Sequence, residues 1–92
     1  MSTNSVNHTV SHTVRQFITS HFSHARTRAL ADDDPLLESG IVDSLGVLDI
    51  VGFIESDMGV VVADEDLVRE NFGSIGRIAS YIEAKQKDMA RA

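Results

Sequence analysis

Ser44 is the residue best placed to do chemistry, because it follows Asp43 and precedes Leu45 where Leu36-Leu37-Glu38-Ser39-Gly40-Ile41-Val42 gives way to an amphipathic stretch. A serine hydroxyl at a helix start lies near unpaired backbone N–H groups and the positive end of the helix dipole. A phosphodiester is stabilised there. Hydrolytic or acyl-transfer use of the same hydroxyl needs a base and an oxyanion hole held by a scaffold. Asp43 alone supplies neither, and none of the four histidines is spaced so as to be that base, so no catalytic residue is expected. The histidines form a second candidate, since His8 and His12 are spaced i, i+4 and His21 and His24 i, i+3 on a helix. Neither pair has an obvious third ligand, whereas a closed zinc site usually takes four, so no metal is expected. Taken alone, Asp-Ser-Leu is also an ordinary helix start, in which Ser44 caps the helix by accepting a hydrogen bond from an N–H one turn in.

Ninety-two residues with 42% hydrophobic content suffice for one core and leave no room for a deep enzyme cleft. One domain over residues 1–92 is expected, with its core from about residue 9 to residue 85 and flexible termini. The net charge of -6 and sequence pI of about 4.9 argue against nucleic acid or an anionic membrane, because phosphates reward clustered Lys and Arg. A basic partner surface fits better. The absence of cysteine excludes a disulfide framework, a thiolate metal site and a cysteine nucleophile, so any thiol chemistry has to come from an attached group. Met1-Ser2-Thr3-Asn4-Ser5 lacks the charged and apolar regions of a signal peptide, which points to the cytoplasm. No apolar run approaches the roughly 18 residues that span a bilayer.

Four helical segments must position Ser44. Val10, Val14, Phe17, Ile18 and Phe22 fall on one helical face and predict a first helix from about Thr9 to His24. The charge run and the only proline, Asp32-Asp33-Asp34-Pro35, then open a long loop whose Leu36, Leu37 and Ile41 are expected to dip back onto the core. Gly40 supplies a positive φ where that loop turns. A second helix is predicted from about Ser44 to Asp57, ended by Met58-Gly59, with Val47, Ile50, Val51 and Ile54 as its core stripe. Leu45, Leu48 and Gly52 lie toward a neighbouring face. That second set is more than one core needs. Val60-Val61-Val62 reads as an extended connection, Asp64 as the cap of a short third helix over about Glu65 to Glu70, and Phe72 as its anchor. Ser74 is expected to cap the last helix, where Ile75, Ile78, Ala79 and Ile82 repeat the i, i+3, i+4, i+7 stripe, and the tail from Asp88 to Ala92 is expected to fray.

In this order, the Leu-Leu-Glu-Ser-Gly-Ile-Val-Asp-Ser-Leu lead-in, the helix behind it, the Val60-Val61-Val62 then Asp64-Glu65-Asp66 segment and Asn71-Phe72-Gly73-Ser74-Ile75 resemble the acyl and peptidyl carrier proteins. The resemblance covers roughly Phe17 to Ile82. It implies an all-α fold, a four-helix acyl-carrier-protein-like bundle with a long first loop and a short third helix. It makes Ser44 the attachment point of a covalent 4′-phosphopantetheine arm, placed there from coenzyme A by a phosphopantetheinyl transferase with a divalent metal bound in the transferase complex. Asp43 would contribute to metal or partner binding during the transfer. The arm's terminal thiol would carry an acyl or aminoacyl group as a thioester between loading enzymes and synthase enzymes. The second helix would be the recognition element, with Leu45 and Leu48 as apolar contacts and Asp49, Glu55 and Asp57 as charges for a basic rim, while Asp64, Glu65, Asp66 and Glu70 would touch the partner or the arm. A transient shuttle of this kind would be a monomer.

Many fatty-acid carrier proteins place an acidic residue after the Ser-Leu pair and a bulky apolar residue further along the helix. Gly46 and Gly52 stand in those places here and are expected to remove side chains from the partner-facing surface. Each costs the helix up to about 1 kcal/mol relative to alanine. The Gly-Ile-Val-Asp-Ser-Leu lead-in and the Glu-Asn-Phe segment look more like stand-alone carriers of natural-product biosynthesis. Two alternatives stay open: a carrier of fatty-acid synthesis, and a non-covalent helical adaptor that uses Leu45 and Leu48 without any prosthetic group.

Overall fold

The protein, as a computed structural model, is described for residues 2–22 and 30–91, the side chains of residues 2–9 and 91 excepted. Among the described residues four helices follow in order: α1 over Ser2–His21, α2 over Ser44–Asp57, α3 over Arg69–Phe72 and α4 over Ile75–Arg91, with a 3-10 turn at Asp64–Asp66 before α3. No strand occurs among the described residues. The expected all-α bundle with a long first loop and a short third helix is what the chain forms.

Apolar periodicity placed the helices, and packing fixed their faces. Val10, Val14 and Ile18 of α1 are buried, with Phe17 and Phe22 half-buried against the same core. Ile75, Ile78, Ala79 and Ile82 of α4 are buried opposite them, and α1 and α3 both pack against α4. The α2 stripe is rotated from the expected one. Ile50 and Ile54 are fully buried, but Gly46 and Phe53 join them, while Val47 and Val51 are only half-buried at the edge. Phe53 moves inward because its ring stacks on Phe17 of α1, centroids 4.4 Å apart.

The long loop is pinned as expected, with Leu36 and Ile41 buried and Leu37 half-buried. Backbone bonds complete the pinning: the Leu36 N–H donates to the Gly73 carbonyl at 2.9 Å, the Gly76 N–H to the Asp32 carbonyl at 2.8 Å and the Val42 N–H to the Leu36 carbonyl at 3.1 Å. The loop thereby satisfies the Gly76 N–H at the start of α4 and leads through Val42 and Asp43 into α2. Arg15 of α1 reaches the same loop, donating to the Leu30 carbonyl and the Asp32 carboxylate. Gly40 and Gly59 take positive φ, +82° and +69°, where the loop turns and where α2 ends.

Three boundaries differ from expectation. The third helix is not continuous: the Asp64–Asp66 turn closes with the Leu67 N–H on the Asp64 carbonyl at 3.1 Å, Val68 is extended, and α3 then includes Phe72. Asp64 therefore begins the 3-10 turn and caps no helix, because Leu67, half-buried against the core, and the extended, exposed Val68 interrupt the α register. The last helix continues to Arg91, where fraying was expected, and the first begins at Ser2 and stops at His21 in place of His24. Once the buried segment of a helix is formed, each added residue closes one further hydrogen bond at little extra cost. The cap expected of Ser74 is present, its hydroxyl accepting from the Arg77 N–H at 3.2 Å.

Candidate functional site

The cap that the sequence suggested for Ser44 is made by Asp43. Asp43 is the extended N-cap of α2, and its Oδ1 accepts the Gly46 N–H at 2.7 Å. Ser44 is therefore the first helical residue, exposed, with its hydroxyl outside the cap. Aspartate wins because its charged oxygen makes the shorter, stronger bond and also complements the dipole. The serine is left free of structural duty at the positive end of a 14-residue helix.

Other serines of the chain are engaged differently. The Ser39 hydroxyl donates to the Leu36 carbonyl at 3.2 Å inside the loop, that of Ser56 to Asp57 at 3.0 Å, and Ser74 is buried as a cap. Ser44 fits a bulky covalent group: its side chain is exposed, and neighbouring Leu45 is itself 73% exposed. A phosphodiester on that oxygen would lie against the first-turn N–H groups.

Beneath this turn the packing is tight. Gly46, expected on the partner-facing surface, is buried and points inward. A Cβ at that position would lie 2.7 Å from Phe22 Cε1, 3.1 Å from Val42 Cγ1 and 3.2 Å from Asp43 Oδ1. The absence of a side chain is required by the fold there, since the α1 end rests directly on the α2 backbone. Gly52 is the opposite case, exposed with nothing within 4 Å of where a Cβ would be.

The outer face of α2 carries Ser44, Leu45, Leu48, Gly52 and Glu55, with Leu48 55% exposed. No Lys or Arg occurs in α2. Its carboxylates are not equivalent. Asp49 is paired with His21 Nε2 at 3.0 Å across the α1–α2 seam, Glu55 accepts the Val62 N–H at 3.1 Å and holds the linker to the helix, and Asp57 takes the Ser56 hydroxyl. Asp64, Glu65 and Glu70 are exposed. Asp66 faces inward, accepting from the Tyr81 hydroxyl at 2.7 Å and meeting Lys85 Nζ at 3.3 Å. The Tyr81 bond, then Lys85, hold its carboxyl below the usual range despite some desolvation, while burial and Asp66 push the Tyr81 phenol well above its own. Asp66 is thus a structural anchor of the 3-10 turn.

The seam between α1 and α2 was missed from sequence. Phe17 stacks on His21 at 4.9 Å and on Phe53, and Phe22 stands edge-on to Phe17 at 6.3 Å and to His21 at 4.9 Å. The i, i+3, i+7 spacing of Gly46, Asp49 and Phe53 was the available signal. His12 is exposed, and the His8 side chain and all of His24 lie outside the described residues. Among the described residues no three His, Asp or Glu side chains converge to hold a metal, and no helix is long and apolar enough to cross a membrane.

The family model for the phosphopantetheine attachment site matches residues 20–82, which takes in the long loop, α2, the 3-10 turn, α3 and the first half of α4. No curated protein matches the chain.

Proposed function

Because the chain belongs to the phosphopantetheine attachment family, a carrier domain that holds a covalent 4′-phosphopantetheine arm, we propose that Ser44 is the residue that bears the arm. The observation that carries this reading is the division of labour at the start of α2, where Asp43 makes the cap and Ser44 presents an uncommitted hydroxyl at the positive helix end. In the transfer, the Ser44 oxygen forms a bond to the β-phosphorus of coenzyme A, the phosphoanhydride bond breaks, adenosine 3′,5′-bisphosphate leaves, and the hydroxyl proton passes to a base of the transferase. Asp43 fixes the turn from which Ser44 reacts. The bound arm supplies the thiol that this cysteine-free chain lacks, and holds an acyl or aminoacyl group as a thioester.

The chain itself is read as non-catalytic, in keeping with a domain whose part is to carry the arm. We read residues 1–92 as one carrier domain, working as a monomer in the cytoplasm. Its partners are the phosphopantetheinyl transferase, a loading enzyme and downstream synthase enzymes, received on Leu45 and Leu48 with Asp49, Glu55, Asp57 and Asp64 as the acidic rim. The exposed, side-chain-free Gly52 supports a role in natural-product biosynthesis, because it presents a different surface from the bulky apolar residue common in fatty-acid carriers.

The test is incubation with coenzyme A, magnesium and a broad-specificity phosphopantetheinyl transferase, followed by intact-mass measurement of the wild type and Ser44→Ala. One added phosphopantetheinyl group in the wild type alone is the expected result. No gain on a folded helical sample, with several transferases, would remove the assignment of Ser44 in favour of the non-covalent adaptor.

A further inference from the structure

The ring of Phe22 lies in the volume where any residue other than glycine at position 46 would carry its Cβ, so the end of α1 rests against the backbone two residues beyond Ser44. Three observations show that this is a held contact. The Phe22 N–H donates to the Ile18 carbonyl at 3.0 Å, continuing the α1 ladder to the ring. Phe17 and His21 both meet the ring edge-on. Those two residues are themselves tied to α2, Phe17 through the stack on Phe53 and His21 through Asp49. Two of the ring's sides are therefore held by residues that are themselves fixed on α2.

Above this contact the same residue completes the cap, since the N–H that Asp43 accepts belongs to Gly46. The first turn of α2 is clamped between the Asp43 carboxylate and the Phe22 ring. Ser44, whose side chain is exposed, projects from that backbone.

We propose that Phe22 is a positioning residue for the modification of Ser44, acting through Gly46 to hold the attachment turn in the geometry from which the hydroxyl reacts. The proposal rests on the reading that Ser44 bears the arm. A loosened turn leaves the chemistry of the hydroxyl unchanged but lowers the fraction of encounters in which it is aligned, and misplacement by about 1 Å at a reacting centre costs up to about a hundredfold. The rest of the core is built on the fully buried Ile50, Ile54, Ile78 and Ile82, with Phe22 half-buried at its edge.

The test measures kcat and KM for the protein in the transferase reaction, with coenzyme A and magnesium, for the wild type, Phe22→Ala, Gly46→Ala, Phe22→Ala/Gly46→Ala and Phe22→Leu. All are assayed at a temperature where circular dichroism shows each folded, and hydrogen exchange of the Gly46 amide is followed in parallel. Phe22→Ala opens a gap under the turn, and Gly46→Ala drives a methyl group into the ring. Each is expected to lower kcat/KM about tenfold, mostly in kcat, and to speed exchange at Gly46. In the double variant the new methyl group enters the space the ring vacated, and kcat/KM is expected to return to within about threefold of wild type. Such mutual rescue is not produced by general destabilisation. If Phe22→Ala does not fold, Phe22→Leu, which keeps apolar volume but withdraws the ring edge, is expected to show the same loss in smaller measure. Unchanged kcat/KM in the folded Phe22 variants, or a double variant as slow as the product of the singles, overturns the proposal. Absence of any modification of the wild type strikes instead at the reading of Ser44.

Discussion

Gly46→Ala and Gly52→Ala introduce the same methyl group into the same helix and are expected to change stability in opposite directions. Both glycines lie within α2, where alanine is favoured by up to about 1 kcal/mol through its smaller backbone entropy loss. At Gly52 nothing lies within 4 Å of the new Cβ, so that gain is realised almost whole, about 0.5–1 kcal/mol. At Gly46 the Cβ falls 2.7 Å from Phe22 Cε1, a separation that real side chains do not tolerate. Val42 Cγ1 at 3.1 Å and the capping oxygen of Asp43 at 3.2 Å would also be in tight contact. Overpacking of this kind costs about 1–3 kcal/mol, which exceeds the propensity gain and leaves a net loss of about 1 kcal/mol. Urea unfolding followed by far-ultraviolet circular dichroism measures the difference as a displacement of the midpoint at constant slope. In thermal melts the two variants should separate by about 6–16 °C, at about 4–8 °C per kcal/mol for a domain of this size. A Gly46→Ala protein as stable as the wild type would refute the reasoning, because it would mean that the Phe22 ring yields freely.

Three further outcomes follow from other contacts. Asp43→Ala should lose about 1 kcal/mol with its cap bond to Gly46, whereas Asp43→Asn keeps an acceptor oxygen and should lose less than half of that in the same urea experiment; equal losses would contradict the cap. Tyr81→Phe should flatten the pH dependence of stability at both ends. Asp66 has a lowered carboxyl pKa, so its contribution is present above about pH 4 and lost as the pH falls further, while the raised Tyr81 phenol contributes below about pH 10 and is lost as the pH rises through its folded value. A Tyr81→Phe profile that retains both limbs would place their origin elsewhere. Leu36→Ala, at a fully buried loop position, should cost about 2–5 kcal/mol, against less than about 0.5 kcal/mol for Leu45→Ala on the open face, and comparable losses in urea would show that the loop is not part of the core.

Much of this protein was legible in its residues because the relevant signals are local. The one-sided apolar stripes of α1 and α4 name their own buried faces, and Gly40 and Gly59 mark turns that need positive φ. The Leu36-to-Leu45 segment, read together with its spacing to Asn71-Phe72-Gly73-Ser74, indicated the carrier family that the match over residues 20–82 shows. Exposure of Leu45 and Leu48 was likewise legible, since both lie off the core stripe of α2.

The contacts between elements were decided only by tertiary structure. A helical stripe gives no reason to distinguish Gly46 from Gly52; what separates them is that α1 ends over one and leaves the other open. Whether Asp43 or Ser44 caps α2 depends on how the loop delivers the backbone, and Val42 and Leu36 set that delivery by bonding to each other and to Gly73. Asp66 reads as one more surface carboxylate until Tyr81 and Lys85 of α4 close on it, and Phe53, outside the predicted α2 stripe, joins the core because Phe17 stacks upon it. Residue type and periodicity determine which side chains leave water, because that choice is made within a few turns of chain. The partner each of them meets is fixed by the closure of the long loop and the crossing of helices far apart in sequence.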